Sequence, residues 1–170
     1  NEGIGPTCGF SADTENEFLA YGAITARALN AQHHTTAWSG RGMVRNYGGD
    51  MGPTMPDIYG RTLASDNNSA AWVPSRYVPD VIVIDLGTND FSTGVNPGQP
   101  YADKYLQFVT MLRGLFPDAH IFCAIGPMDN NASMRAYVSG VVSMRMNAGD
   151  TKTHFVEFTP QGPLGFGCDY

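Results

Sequence analysis

Between Pro79 and Leu86 the chain reads Pro-Asp-Val-Ile-Val-Ile-Asp-Leu, and the run stops abruptly at Gly87. Four consecutive β-branched residues without polar alternation predict a strand buried on both faces, as in a parallel sheet. Parallel neighbours need long crossovers, so helices must alternate with strands. The sequence supplies them. Tyr101, Tyr105, Phe108, Leu112 and Leu115 recur at three- and four-residue steps and predict a helix that stops at Pro117. Ile121–Ile125 predicts a second buried strand, broken by Gly126-Pro127. Ser133 to about Met146 is helical, and Thr153–Phe158 is a last strand. Upstream, Thr14-Glu15-Asn16-Glu17 has the pattern of a capping box opening a helix through Asn30. A short strand at Thr35–Trp38 and a short helix over Met55–Leu63 follow. The expected class is α/β, a mostly parallel sheet flanked by helices on both faces in a three-layer sandwich.

At 170 residues the chain fits a single domain, 1–170, large enough to bury a core without disulfide staples. No run approaches 18 apolar residues, which excludes a helical membrane span. Ten Lys+Arg against sixteen Asp+Glu give a net charge of -6, with no basic stripe for nucleic acid. A monomer is expected. The three cysteines lack metal-ligand spacing. Cys123, inside an apolar run, reads as a buried inert thiol, while Cys8 and Cys168 lie in Gly-rich loops whose pairing stays open. The four histidines, His33, His34, His120 and His154, read as structural or surface residues and not as a metal set. No cofactor is implied.

In an open α/β sheet the site lies at the C-terminal ends of the strands, which directs attention to loops 39–52, 87–99, 126–132 and 159–170. A dinucleotide turn fails in the first of these. Gly40-Arg41-Gly42-Met43-Val44-Arg45 has Arg45 where the third glycine belongs, and no acidic residue ends a following strand. Gly87-Thr88-Asn89-Asp90, directly after the buried strand, is more informative. The Asn89 side-chain amide can donate to a developing oxyanion without titrating. Asp90 can fix the loop by accepting backbone amides. Gly40, after the preceding strand, can offer a backbone N–H at the same sheet edge. Together they are candidates for a two-donor oxyanion hole.

The residues around these positions carry a resemblance across nearly the whole chain. They are Thr14-Glu15-Asn16, Ala20-Tyr21-Gly22-Ala23, Thr25-Ala26-Arg27, Trp38-Ser39-Gly40-Arg41-Gly42, Asn46-Tyr47-Gly48-Gly49 and Met55-Pro56. They continue with Pro79-Asp80-Val81, Leu86-Gly87-Thr88-Asn89-Asp90-Phe91-Ser92, Gly126-Pro127-Met128 and Gly167-Cys168-Asp169-Tyr170. In this order the blocks resemble an SGNH-type hydrolase, and within it the catalytic domain of carbohydrate esterase family 2, the acetyl-xylan esterases. The resemblance implies a secreted serine esterase that removes O-acetyl groups from polysaccharide such as xylan. It makes Gly40 and Asn89 the oxyanion donors, and Trp38, Asp90 and Tyr170 candidate substrate contacts. Asp169 would orient the base or serve only its loop.

The family's nucleophile is the serine of a Gly-Asp-Ser motif, and no Gly-Asp-Ser occurs in the sequence. The resemblance places that serine roughly ten residues before Asn1 and the base histidine directly after Tyr170. The chain by itself is therefore expected to be an inactive piece of an esterase domain, incomplete at both ends. Ser11, Ser39 and Ser92 stand near the proposed edge, but turn or cap roles suffice for each and none has an evident histidine partner. Two other readings remain open. One is a non-catalytic carbohydrate-binding relative, and the other a different SGNH activity such as a lipase or thioesterase.

Overall fold

The structure, a computed structural model, describes residues 11–128 and 131–160. They belong to two compact units, one including residues 11–37 with Pro160 and the other Trp38–Thr159.

In the first unit, helix α1 covers Tyr21–Ala28 and follows two single turns at Ala12–Thr14 and Glu17–Leu19. The expected capping box does not start it. The Glu17 carboxylate instead receives the Thr35 hydroxyl at 2.8 Å and faces His33 Nδ1 at 2.9 Å. Asn16 Oδ1 takes the Leu19 amide, which closes the second turn and leaves Phe18 outside the helix. Thr35–Trp38 is not a strand, contrary to expectation. Its threonine hydroxyl is engaged with Glu17, and no β-ladder partner exists for it among the described residues.

The second unit is built on three parallel strands, β1 (Val81–Asp85), β2 (His120–Ile125) and β3 (Thr153–Glu157), in that spatial order. Helix α2 (Met55–Ile58) and the single-turn α3 (Thr88–Phe91) precede the long α4 (Gln99–Leu115), which connects β1 to β2. Helix α5 (Ala132–Asn147) connects β2 to β3. The four predicted elements from Tyr101 to Phe158 thus occur within one or two residues of their expected bounds.

Register decides what each strand buries. Ile82 pairs with Ile121, and Ile84 with Cys123, so these side chains share one face. With Ile125 they join Tyr105, Phe108, Val109 and Leu112 of α4 and Met134, Val138, Val141 and Val142 of α5 in a single apolar core. Val81 and Val83 pair with His120 and Phe122 on the other face and are 55% and 47% exposed. The expectation that this run is buried on both sides fails there. Among the described residues β1 lies at one end of the strand order, and its β-branched residues all favour the pleated backbone whichever face is covered. Cys123 lies in the core as expected. Burial pushes its thiol up to about 12, against the opposing hydrogen bond with Tyr105, so it is neutral and inert.

Candidate oxyanion site

The site begins where β1 ends. Gly87, at φ +153°, turns the chain from the strand into α3. A Cβ there would overlap Met134 Sδ and lie 2.7 Å from the Tyr101 hydroxyl oxygen. That hydroxyl donates to the Leu86 carbonyl at 2.7 Å, so the aromatic core of α4 holds the strand end directly. Asn89 and Asp90 follow on the single turn of α3 and take opposite directions.

Asp90 is fully buried. One carboxylate oxygen accepts the Met43 amide at 2.8 Å, and the other accepts those of Val44 at 2.7 Å and Arg45 at 3.0 Å. Burial pushes its carboxyl above the usual carboxylate range, and the three amides pull against that rise. Arg45 closes the arrangement by donating through Nε to the Asp90 carbonyl at 2.6 Å and through Nη2 to the Val95 carbonyl. The expected substrate-contact role of Asp90 does not fit this geometry, because both oxygens face loop amides and none reaches solvent. The loop-fixing role does fit.

The loop that Asp90 holds is the one carrying Gly40. Its turn is closed by the Arg41 amide donating to the Trp38 carbonyl at 3.1 Å. Gly42 has no room for a side chain, since a Cβ would overlap the Arg45 carbonyl and stand 2.7 Å from Asp90 Oδ2. Asn46, also buried, accepts the Gly42 amide on Oδ1 at 3.1 Å and donates to Asp50 Oδ2 at 2.8 Å. The Gly40 carbonyl accepts the Tyr47 amide at 2.8 Å, while the Gly40 N–H has no acceptor among the described residues.

Asn89 is half-buried, and its Nδ2 donates to the Arg41 carbonyl at 2.9 Å. That bond places the amide group one residue from Gly40 and fixes which way its nitrogen points. An Asn side-chain nitrogen carries two hydrogens, so one remains for a further acceptor. The structure thus brings Gly40 and Asn89 together, although the expected strand before Gly40 is absent. A buried carboxylate does the positioning that a strand was expected to do.

Trp38 is half-buried, with the Arg41 guanidinium 4.5 Å from its ring centroid. Ser92 is bonded to backbone on both sides, accepting the Gly48 amide at 3.0 Å and donating to the Asn89 carbonyl at 2.7 Å. This is a turn role, as the sequence suggested. Tyr47 was not singled out as a site residue, yet it is 69% exposed and follows the Asn46 anchor directly. The signal available was an aromatic set in a turn of glycines, Tyr47-Gly48-Gly49. Cys8, Cys168, Asp169 and Tyr170 lie outside the described residues.

The chain has close relatives among known proteins. Over its whole length the chain is 43% identical to a cellulase/esterase of Acetivibrio thermocellus, of which it covers 21%. Over 74% of its length it is 36% identical to an acetylxylan esterase / glucomannan deacetylase of Cellvibrio japonicus, of which it covers 36%. Among solved structures, a family two carbohydrate esterase from Clostridium thermocellum in complex with cellohexaose superposes with a TM-score of 0.88 at 43% identity. The match covers 95% of this chain and 50% of that one. The chain therefore spans about half of that solved relative and a smaller share of the two curated ones. With residues 2–154 matched by the model of the GDSL-like lipase/acylhydrolase family, the chain belongs to that family.

Proposed function

We propose that this chain forms the oxyanion-stabilising body of a serine esterase that removes O-acetyl groups from plant cell-wall polysaccharide such as xylan. The observation that carries the reading is the Asn89 amide, fixed on the Arg41 carbonyl beside Gly40 at the C-terminal end of β1. In this reading a serine hydroxyl attacks the acetyl carbonyl, and a histidine takes its proton. As the carbonyl carbon becomes tetrahedral, its oxygen gains charge and moves between the Asn89 N–H and the Gly40 N–H. Both donors are held before reaction, so no reorganisation opposes the step. Collapse of the intermediate expels the sugar alkoxide, which the histidine protonates, and water then releases acetate by the same route in reverse. In this reading the serine and the histidine come from parts of the complete enzyme outside these 170 residues, whose sequence contains no Gly-Asp-Ser. A polysaccharide substrate too large to enter a cell makes the enzyme a secreted one. Tyr47 and Trp38 offer rings beside the donors on which a sugar face can pack.

The test is acetate release from acetylated xylan by the complete enzyme and its Asn89→Ala variant. Loss of one oxyanion donor is expected to lower kcat by about 10²–10³ with little change in KM. An unchanged kcat overturns the assignment. The 170-residue chain alone is expected not to turn over p-nitrophenyl acetate. Turnover that Asn89→Ala abolishes would place the nucleophile within the chain.

A further inference from the structure

Asn46 is a polar side chain only 3% exposed, and the direction of its amide is forced. Nδ2 faces three oxygens: Asp50 Oδ2 at 2.8 Å, the Gly52 carbonyl at 3.2 Å and the Pro53 carbonyl at 3.3 Å. The bond from Asn46, with that from the Gly52 amide, holds the Asp50 carboxyl below the usual carboxylate range. All three oxygens are therefore acceptors at neutral pH, and only the nitrogen of Asn46 can meet them. Oδ1 points the other way and accepts the Gly42 amide at 3.1 Å. That N–H belongs to the peptide between Arg41 and Gly42. The carbonyl of the same peptide is the acceptor that holds Asn89 Nδ2 at 2.9 Å. A trans peptide is planar with its N–H and C=O opposed, so a grip on one sets the direction of the other. Glycines flank Arg41 on both sides, Gly40 at φ +78°, and local backbone preference does little to fix this plane. The Tyr47 amide holds the Gly40 carbonyl at 2.8 Å and the Met55 amide holds the Gly42 carbonyl at 2.9 Å, but these carbonyls belong to the neighbouring peptides. Among the described residues, Asn46 is the side-chain acceptor on the N–H of the peptide that carries Asn89.

We infer, resting on the reading of Asn89 as an oxyanion donor, that Asn46 is a positioning residue that orients the Asn89 amide through the Arg41–Gly42 peptide. It touches no reacting atom. The hydrogen bonds form one chain, from Asn89 Nδ2 to the Arg41 carbonyl and from the Gly42 N–H to Asn46 Oδ1, and each polarises the next. With the carbonyl fixed, one Asn89 hydrogen is committed to it and the other keeps a single direction. When the peptide tilts, the amide turns with it, and that second hydrogen no longer waits where the oxyanion forms. The loss falls on the transition state, because the ground-state carbonyl gains little from the donor.

Steady-state acetate release from acetylated xylan by the complete enzyme tests this role, with Asn89→Ala as the reference. Asn46→Ala is expected to lower kcat about tenfold and to leave KM within about twofold. In an Asn89→Ala background it should lower kcat no further, because the side chain it orients is gone. Asp150→Asn, which loosens the same unit at its remote end, should leave kcat unchanged and so separates positioning from loss of stability. Far-UV circular dichroism checks folding. If Asn46→Ala does not fold, the exposed Asp50→Ala decides instead. It removes the charge-assisted bond on Asn46 Nδ2 and should lower kcat about threefold at unchanged KM. A parental kcat in the folded variant, a loss carried by KM, a loss that persists in the Asn89→Ala background, or an equal loss in Asp150→Asn overturns the role of Asn46 and leaves that of Asn89 standing. An unchanged kcat in Asn89→Ala overturns the oxyanion reading itself, and the role of Asn46 with it.

Discussion

Asn89 and Asp90 are adjacent in sequence and do different work. Asn89 donates its amide to the Arg41 carbonyl beside Gly40, and Asp90 turns inward to hold Met43, Val44 and Arg45 by their backbone N–H groups. The Gly-Thr-Asn-Asp motif is legible in sequence, and so is the capacity of each side chain. Which one turns into the core is not, because neighbouring residues on a helical turn point about 100° apart and only packing sets the zero of that rotation. Asp90→Asn leaves one acceptor oxygen and sets an N–H2 group against loop amides. The expected cost is about 2–4 kcal/mol of stability, read as a lower urea midpoint. Asn89→Ala removes a single half-exposed hydrogen bond and is expected to cost about 1 kcal/mol. Equal losses for the two variants would contradict the cradle.

At the scale of elements, the helices with a long apolar stripe and the strands they connect were readable. α4 has its aromatic and aliphatic residues at three- and four-residue steps, and Tyr101, Tyr105, Phe108 and Leu112 are buried while Leu115, at the helix end, is exposed. The short pieces were not. α3 occupies a stretch expected to be loop, because a one-turn helix has no periodicity to detect and is set by its N-cap geometry. That geometry depends on Gly87, which combines a positive φ with close approach to Met134 and Tyr101. Gly87→Ala is therefore expected to destabilise the unit by about 1–3 kcal/mol, seen as a drop in Tm. Adding Met134→Ala, which removes the nearest obstacle, should recover part of the drop attributable to overlap. No recovery would mean that backbone strain alone accounts for the loss.

Across the second unit as a whole, α4, α5 and β3 are tied together at the end remote from the oxyanion donors. Asp150 Oδ2 accepts from Arg113 Nε at 3.0 Å, Arg145 Nη2 at 3.1 Å and the Thr153 hydroxyl at 2.8 Å. Arg113 also donates to the carbonyls of Phe116, Pro117, Ala119 and Lys152. Burial alone would raise the Asp150 carboxyl, but these donors and the Lys152 amide outweigh it and bring it down to about 2. A carboxyl lowered on folding contributes stability above its unfolded value near 3.8, and that contribution is lost as pH falls through the folded value. The expected loss between pH 4 and pH 2 is about 1–2 kcal/mol after allowing for screening. Urea melts across that window check it. Asp150→Asn should flatten this part of the profile, and an unchanged slope would reject the assignment.

The sequence by itself determined that strands alternate with helices, and it marked the loop after Leu86, with Gly40 and Asn89, as the candidate place for oxyanion stabilisation. These follow from local composition: β-branched runs, helical periodicity, glycines, and an amide that cannot titrate. The tertiary structure decided matters of register and direction. It exposed one face of β1, replaced an expected strand before Gly40 with a loop held by Asp90, and set His120 beside His154. Each of these depends on contacts between residues 34 to 47 positions apart, and no local pattern encodes which distant partner a side chain will meet.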